Sequence, residues 1–312
     1  MTSAPYIHIA PSMRSIMWRV CAGLLPGVAL LIYFEGARWL GLLAFAAGVA
    51  LLSEGVILLI RRKARLFGQL SDGSAVLSAL LLVLCLPPSV PLWLIAIGIF
   101  FALVFGKQLY GGLGMNIFNP AMVGYCFLLV SFPVLMSQHS IDWLPLSSLW
   151  QSVDASTGAT LLDTSRMDRI AGESIGTYNP WQASIMSVNL AWLAGGLWLA
   201  WQRCLDWRIV AGVLLGGFIT AAMFWGIDGE RYLDPITQLF SGALIFGACF
   251  IATDPVSAAT TPLGRWVYAL LIGVLTICIR NLGNFPDGVA FAVLLANACV
   301  PLIDPLTQPR YR

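Results

Sequence analysis

Residues 38–65 read RWLGLLAFAAGVALLSEGVILLIRRKAR. From Trp39 to Ile60 the only charge is Glu54. The hydrocarbon core of a bilayer takes about 20 apolar residues of helix, and this run supplies them. Arg61, Arg62, Lys63 and Arg65 follow at once. Basic residues collect at the cytoplasmic end of a span. One segment therefore gives both a transmembrane helix and its direction.

The rest of the chain has the same character. Of its 312 residues, 59% are hydrophobic and 10% charged, where soluble domains carry roughly 25% charge. Mean hydropathy is +0.83. Ten spans are expected, at residues 19–35, 38–60, 74–87, 91–106, 119–136, 183–201, 208–227, 236–253, 265–280 and 287–303. The first has no cleavage site after it and reads as a helix, not a removable signal. With both termini inside, the outer segments hold only Arg38, Arg166, Arg169, Arg231 and Arg280 of the 17 basic residues, as the positive-inside rule requires. The expectation is an all-α polytopic membrane protein in membrane lipid, with no nucleic acid partner.

Two spans are short or interrupted: 74–87 runs into Pro87-Pro88 and 236–253 into Asp254-Pro255. Proline removes a backbone donor and ends a helix. Each broken span is followed by another span and then a Gly/Asn-rich segment, Gly111–Pro120 in one case and Arg280–Gly288 in the other. This reads as a weak internal repeat. Five spans per half make the second half an inverted copy of the first, an arrangement that transporters use around midplane sites. The expected organisation is a first membrane repeat at 1–136, a loop at 137–182 and a second membrane repeat at 183–312.

The 137–182 loop is the one long connection, and on this topology it faces the periplasm. Loops of this length are usually functional. It contains Asp154-Ala155-Ser156-Thr157-Gly158-Ala159-Thr160, a small, polar stretch rich in hydroxyls. A threonine hydroxyl is a poor nucleophile without a base or an enzyme to activate it. The residues alone also permit a plain surface turn.

Elsewhere, Asn116, Asn119, Asp254 and Asp287 fall at expected helix ends or breaks. They either cap backbone donors or line a site at membrane depth. Glu54 either snorkels to the inner surface or takes part in ion uptake. The seven cysteines form no C-x-x-C pair, and the two histidines, His8 and His139, stand far apart. No metal centre and no catalytic residue is expected from this chain alone.

The stretch 154–160 resembles the flavinylation motif D-x-x-[S/T]-G-A-T. Asp154, Thr157, Gly158, Ala159 and Thr160 match every fixed position. Three further stretches resemble the family that unites the Rnf D-type membrane proteins with the B-type membrane proteins of the sodium-pumping NADH:quinone reductase. They are Lys107–Gly114 with Asn116, Asn119 and Pro120, then Ala252–Ser257, then Asn284–Ala292 running to Asp304. Together with the flavin motif they span most of the chain from Lys107 onward, and the first hundred residues match by hydropathy.

The resemblance implies a component of an ion-translocating ferredoxin:NAD oxidoreductase (Rnf) complex, not catalytic alone, in a bacterial inner membrane. It implies FMN joined to Thr160 through a phosphoester and installed by a flavin transferase. It also implies partner membrane, flavin-bearing and iron–sulfur subunits, and coupling to Na⁺ or H⁺. The quinone reductase relative suggests a second, noncovalent flavin (riboflavin or FMN), or an ion, at Asn116, Asn119, Asp254 and Asp287. A non-redox channel or transporter of inverted-repeat fold is the alternative, and the flavin motif separates the two.

Overall fold

In a membrane, apolar runs choose the helices and caps choose where they stop. The computed structural model describes residues 12–62, 68, 70–137, 139–140, 144–150, 157–158, 161–171, 183–283, 285 and 287–308. Helix occupies all ten expected positions, and the chain is an all-α polytopic membrane protein. Among the described residues, six helices are long and apolar enough to cross a bilayer: Met13–Glu35, Arg38–Ile60, Ser184–Trp201, Trp207–Ile227, Pro262–Leu282 and Val289–Leu306.

The first of these starts earlier than the sequence suggested, because the Ser12 hydroxyl caps it by accepting from the Ser15 N–H. It has two segments, α1 (Met13–Gly23) and α2 (Leu25–Glu35), joined at Leu24 with Pro26 in the first turn of α2. The next helices are α3 (Arg38–Ile60), α4 (Ser74–Leu84), α5 (Leu92–Leu103), α6 (Pro120–Ser131) and the short α7 (Pro133–Ser137). A π-helical turn, Val104–Gln108, extends α5. The loop contributes α8 (Leu161–Ala171), a 3-10 turn at Leu146–Trp150 and a two-residue antiparallel pair. In that pair His139 faces Gly158 and Ser140 faces Thr157.

The second half has α9 (Ala183–Trp201), α10 (Trp207–Ile227), α11 (Pro235–Phe240), α12 (Leu244–Phe246), α13 (Pro262–Leu282) and α14 (Val289–Leu306). A second π-helical turn, Gly247–Ile251, extends α12. The halves repeat one packing scheme. α3 packs on α5 as α10 packs on α13, α5 on α6 as α13 on α14, and α4 on α3 as α11 on α10. The α10–α13 crossing is close because it is lined with glycine, the usual device between membrane helices. A Cβ placed on Gly273 would collide with the Val213 carbonyl oxygen.

The span at 236–253 is broken inside as well as at its end. Ser241–Ala243 separates α11 from α12, and Gly242 has φ +61°, a left-handed conformation that glycine adopts without strain. Its surroundings also need glycine: a Cβ there would lie 2.5 Å from Asp287 Oδ2 and 2.7 Å from Leu162 Cδ1.

Loop and membrane helices are tied together at the opposite break too. Arg38, 0% exposed, donates to the Pro88 carbonyl (2.7 Å), the Val90 carbonyl (3.2 Å) and the Ser148 carbonyl. A buried guanidinium thus satisfies carbonyls left free where Pro87-Pro88 ends the fourth helical segment.

Candidate functional site

Both halves deliver their irregular backbone to one cavity. Its polar lining includes Ser74, Lys107, Asn116, Asn119, Thr253 and Asp254, and its apolar walls include Leu77, Leu81, Leu113 and Phe250. Lys107 and Phe250 come from the two π-helical turns, and Thr253 and Asp254 follow the second after Ala252. Such turns are rare and cluster at functional sites.

Asn119 caps α6: its Oδ1 accepts from the Ala121 N–H at 3.0 Å and the Met122 N–H at 3.3 Å. Its Nδ2 donates across the molecule to the Ile251 carbonyl, 3.3 Å away, where the second π turn ends. The capping reading of Asn119 therefore holds, and the same side chain also joins the two halves. Asn116 donates to the Phe118 carbonyl at 3.0 Å and keeps a place in the cavity wall. Asp254 accepts from the Ser257 hydroxyl at 2.8 Å.

Behind this wall lies Asn297, 0% exposed. With its amide oxygen accepting from the Asn119 N–H (3.0 Å), its nitrogen donates to the Ser257 carbonyl (3.3 Å) and the Tyr268 hydroxyl (2.8 Å). Asn297 thus connects the Asn119 cap to the Asp254–Ser257 turn. Sequence reasoning missed it because a lone asparagine inside an apolar span carries no local signal.

A buried ion pair adjoins the cavity. Lys107 Nζ lies 2.5 Å from Glu54 Oε1 and 2.5 Å from the Ser74 hydroxyl. Gln108 Nε2 also donates to Glu54 Oε1, at 3.1 Å, and Arg61 donates to the Gln108 carbonyl and side-chain oxygen, both at 2.9 Å. Glu54 is 2% exposed, so the snorkelling reading does not hold: its carboxylate turns inward to a cation 53 residues away. Its Oε2 has no hydrogen-bond partner among the described residues.

Asp287 does not line this cavity. It belongs to the second-half break, where its Oδ1 lies 3.1 Å from Arg280 and its Oδ2 accepts from the Ala243 N–H at 2.7 Å. Arg280 also donates to the carbonyls of Gln238 (2.7 Å) and Ser241 (3.0 Å). A guanidinium again serves the free carbonyls of an interrupted helix. α8 reaches the same place through Arg169, which donates to Asn281 Oδ1 (3.0 Å) and the Arg280 carbonyl (2.8 Å). Burial lowers the Arg169 guanidinium from its ordinary pKa, while the neighbouring Tyr232 acts the other way.

Asp154, Ala159 and Thr160 lie outside the described residues, and Thr157 and Gly158 are described only as the short β pair. What the structure contributes to a phosphoester at Thr160 is the helix that begins at the next residue. The first N–H groups of a helix lack intrahelical acceptors and favour an anion, by about 0.3–1 kcal/mol. Thr160 immediately precedes that helix in the sequence.

The free volume of the central cavity is about 50 Å³, and a buried water needs about 10–15 Å³. The cavity has room for a few waters. Lys107 is balanced by Glu54, which leaves Asp254 as the carboxylate that faces the cavity.

Comparison with known proteins covers the whole chain. The family model described as NQR2, RnfD, RnfE family matches residues 1–312. The chain is 46% identical over 326 residues to a protein of Alcanivorax borkumensis named as the D subunit of an ion-translocating oxidoreductase complex, covering 99% of this chain and 95% of that one. A protein of the same name from Actinobacillus succinogenes is 41% identical over 347 residues, with 99% and 96% covered. Another from Yersinia enterocolitica is 42% identical over 345 residues, with 99% and 97% covered. The chain belongs to the NQR2, RnfD and RnfE family.

Proposed function

We propose that this chain is the D-type membrane subunit of an Rnf-type ion-translocating ferredoxin:NAD oxidoreductase and carries FMN on Thr160. It relays electrons between partner subunits and is not catalytic alone. The observation that carries the reading is similarity over nearly the full length to proteins named as the D subunit of an ion-translocating oxidoreductase complex. The complete D-x-x-T-G-A-T match at Asp154–Thr160 and the helix that starts directly after it support the cofactor.

When bound, FMN supplies one- and two-electron chemistry, and the protein fixes its distance, access and potential. A flavin transferase installs it. The threonine hydroxyl gives up its proton as its oxygen bonds the FMN phosphorus, and flavin adenine dinucleotide loses its AMP half. Ultraviolet fluorescence of the denatured, gel-separated chain tests the reading. A fluorescent band supports it, and a dark band favours the non-redox channel or transporter that the polar cavity would also serve.

The loop is taken to be periplasmic, with the termini cytoplasmic in a bacterial inner membrane. Ser165 is a poor reporter of this, being 3% exposed with its hydroxyl donating to the Leu162 carbonyl. Ile170, 66% exposed on the same helix, is a better one. In a cysteine-free background, Ile170→Cys is expected to react with an impermeant maleimide from outside intact spheroplasts. Labelling only after the membrane is opened would reverse the topology.

The central cavity is assigned to the coupling ion, Na⁺ or H⁺. Asp254→Asn keeps an acceptor for Ser257 and removes the charge. The complex is expected to assemble with full covalent flavin while ion-coupled turnover falls severalfold. Asn119→Ala, which removes a helix cap, is expected to cost about 0.5–2 kcal/mol of stability and to lower subunit recovery. If Asp254→Asn pumps at the wild-type rate, the ion assignment fails.

A further inference from the structure

α8 is an eleven-residue helix, and helices shorter than about 12–15 residues are marginal on their own in water. What holds it is contact with the membrane helices at both of its ends. Near its start, Leu162 is 6% exposed and its Cδ1 stands 2.7 Å from where a Cβ on Gly242 would be. Near its end, Arg169 donates to Asn281 Oδ1 and to the Arg280 carbonyl, at 3.0 and 2.8 Å. Its guanidinium carbon lies 5.9 Å from the centre of the Tyr232 ring. Leu162 and Arg169 are seven residues apart, about 10 Å along a helix. Both contacts fall on the wall of the Ser241–Ala243 break, the wall that Arg280 and Asp287 complete.

The grip depends on guanidinium geometry. A planar fork reaches two acceptors at once, while an ammonium serves them as a point charge. One of the acceptors is the backbone of Arg280, whose side chain fills the break. Thr160 immediately precedes α8 in the sequence. Two residues of chain span at most about 7 Å, so an anchored Leu162 limits how far the attachment point can stray.

We propose that Arg169 is a positioning residue that clamps α8 against the second-half break and so fixes the flavin on Thr160 relative to the Arg280–Asp287 cluster. This rests on the reading of Thr160 as the flavin site. The clamp keeps an electron carrier on a polar loop at a constant separation from the membrane helices. Without it, the flavin segment would sample positions further out in water.

The test uses the assembled complex with Arg169→Gln and Arg169→Lys. Amide hydrogen exchange is followed across residues 161–171, and iodide quenching is followed for the covalent flavin. Loss of a charge-assisted hydrogen bond is expected to speed exchange in α8 by about tenfold or more in Arg169→Gln. Flavin quenching should rise with it, and Arg169→Lys should fall between that variant and wild type. Covalent flavin content should stay at the wild-type level.

Wild-type exchange and quenching in Arg169→Gln overturn the proposal. Should that variant assemble poorly, Arg169→Lys carries the same test, and wild-type behaviour there overturns it. Faster exchange with unchanged quenching also overturns it, because α8 would then be held without holding the flavin. A wild-type chain with no covalent flavin sinks the Thr160 reading instead, and the exchange measurement still reports on the clamp.

Discussion

Replacing Thr160 with valine is expected to abolish covalent flavin on this chain and to reduce physiological electron transfer to background, with the protein still recovered in the complex. Valine keeps the β-branched shape and removes the hydroxyl oxygen proposed to carry the phosphoester. Thr157 and Ser156 offer hydroxyls nearby, but neither occupies the acceptor position that follows Gly158-Ala159 in the motif. Thr157→Val should therefore keep the flavin. In-gel fluorescence, subunit recovery and electron transfer are measured separately, because an assembly defect would lower all three. Fluorescence retained in Thr160→Val would move the attachment to another residue.

The second large effect is expected at Lys107. Lys107→Met leaves Glu54 as a buried carboxylate without its cation, and breaking one side of a buried ion pair costs about 3–5 kcal/mol. Glu54 Oε1 would retain only Gln108 Nε2, and Oε2 already has no partner among the described residues. The complex should lose this protein at a much lower temperature than wild type. Adding Glu54→Gln to Lys107→Met removes the stranded charge and should restore most of the lost stability. If the double variant is as unstable as the single one, the pair is not what holds α3, α4 and the end of α5 together. Thermal inactivation of the purified complex with quantification of its components reads both variants.

Most of the architecture was legible because lipid forces it to be. A span needs about 20 apolar residues, and unsatisfied backbone cannot face hydrocarbon. The ten helical positions therefore stand out, and proline marks Pro87-Pro88 and Asp254-Pro255 as ends. The break at Ser241–Ala243 was not legible. Residues 236–253 read as one apolar run, and a single glycine is common in membrane helices. What marks Gly242 is the company of Asp287, Arg280 and Leu162, brought in from distant parts of the chain.

The candidate site divided in the same way. Asn116, Asn119 and Asp254 were singled out by their position beside breaks, and the fold brings all three to one cavity. Asp287 looked equivalent by local pattern, but its place is set by Arg280, seven residues earlier on the preceding helix. Of the two readings of Glu54, snorkelling failed because the nearby Arg61 suggested the inner surface while its partner in space is Lys107. Asn297 gave no signal at all. Pairings between helices are tertiary facts, and a single apolar span carries no record of them.

The central claim is that this chain is a flavin-bearing electron carrier with its cofactor on Thr160. The direct measurement is peptide mass spectrometry on the chain isolated from its native complex, with fragmentation across residues 151–166. The account predicts a peptide heavier by FMN less one water, with the added mass on Thr160. An unmodified peptide from fully assembled, active complex would contradict it, and so would the adduct on Ser156 or Thr157.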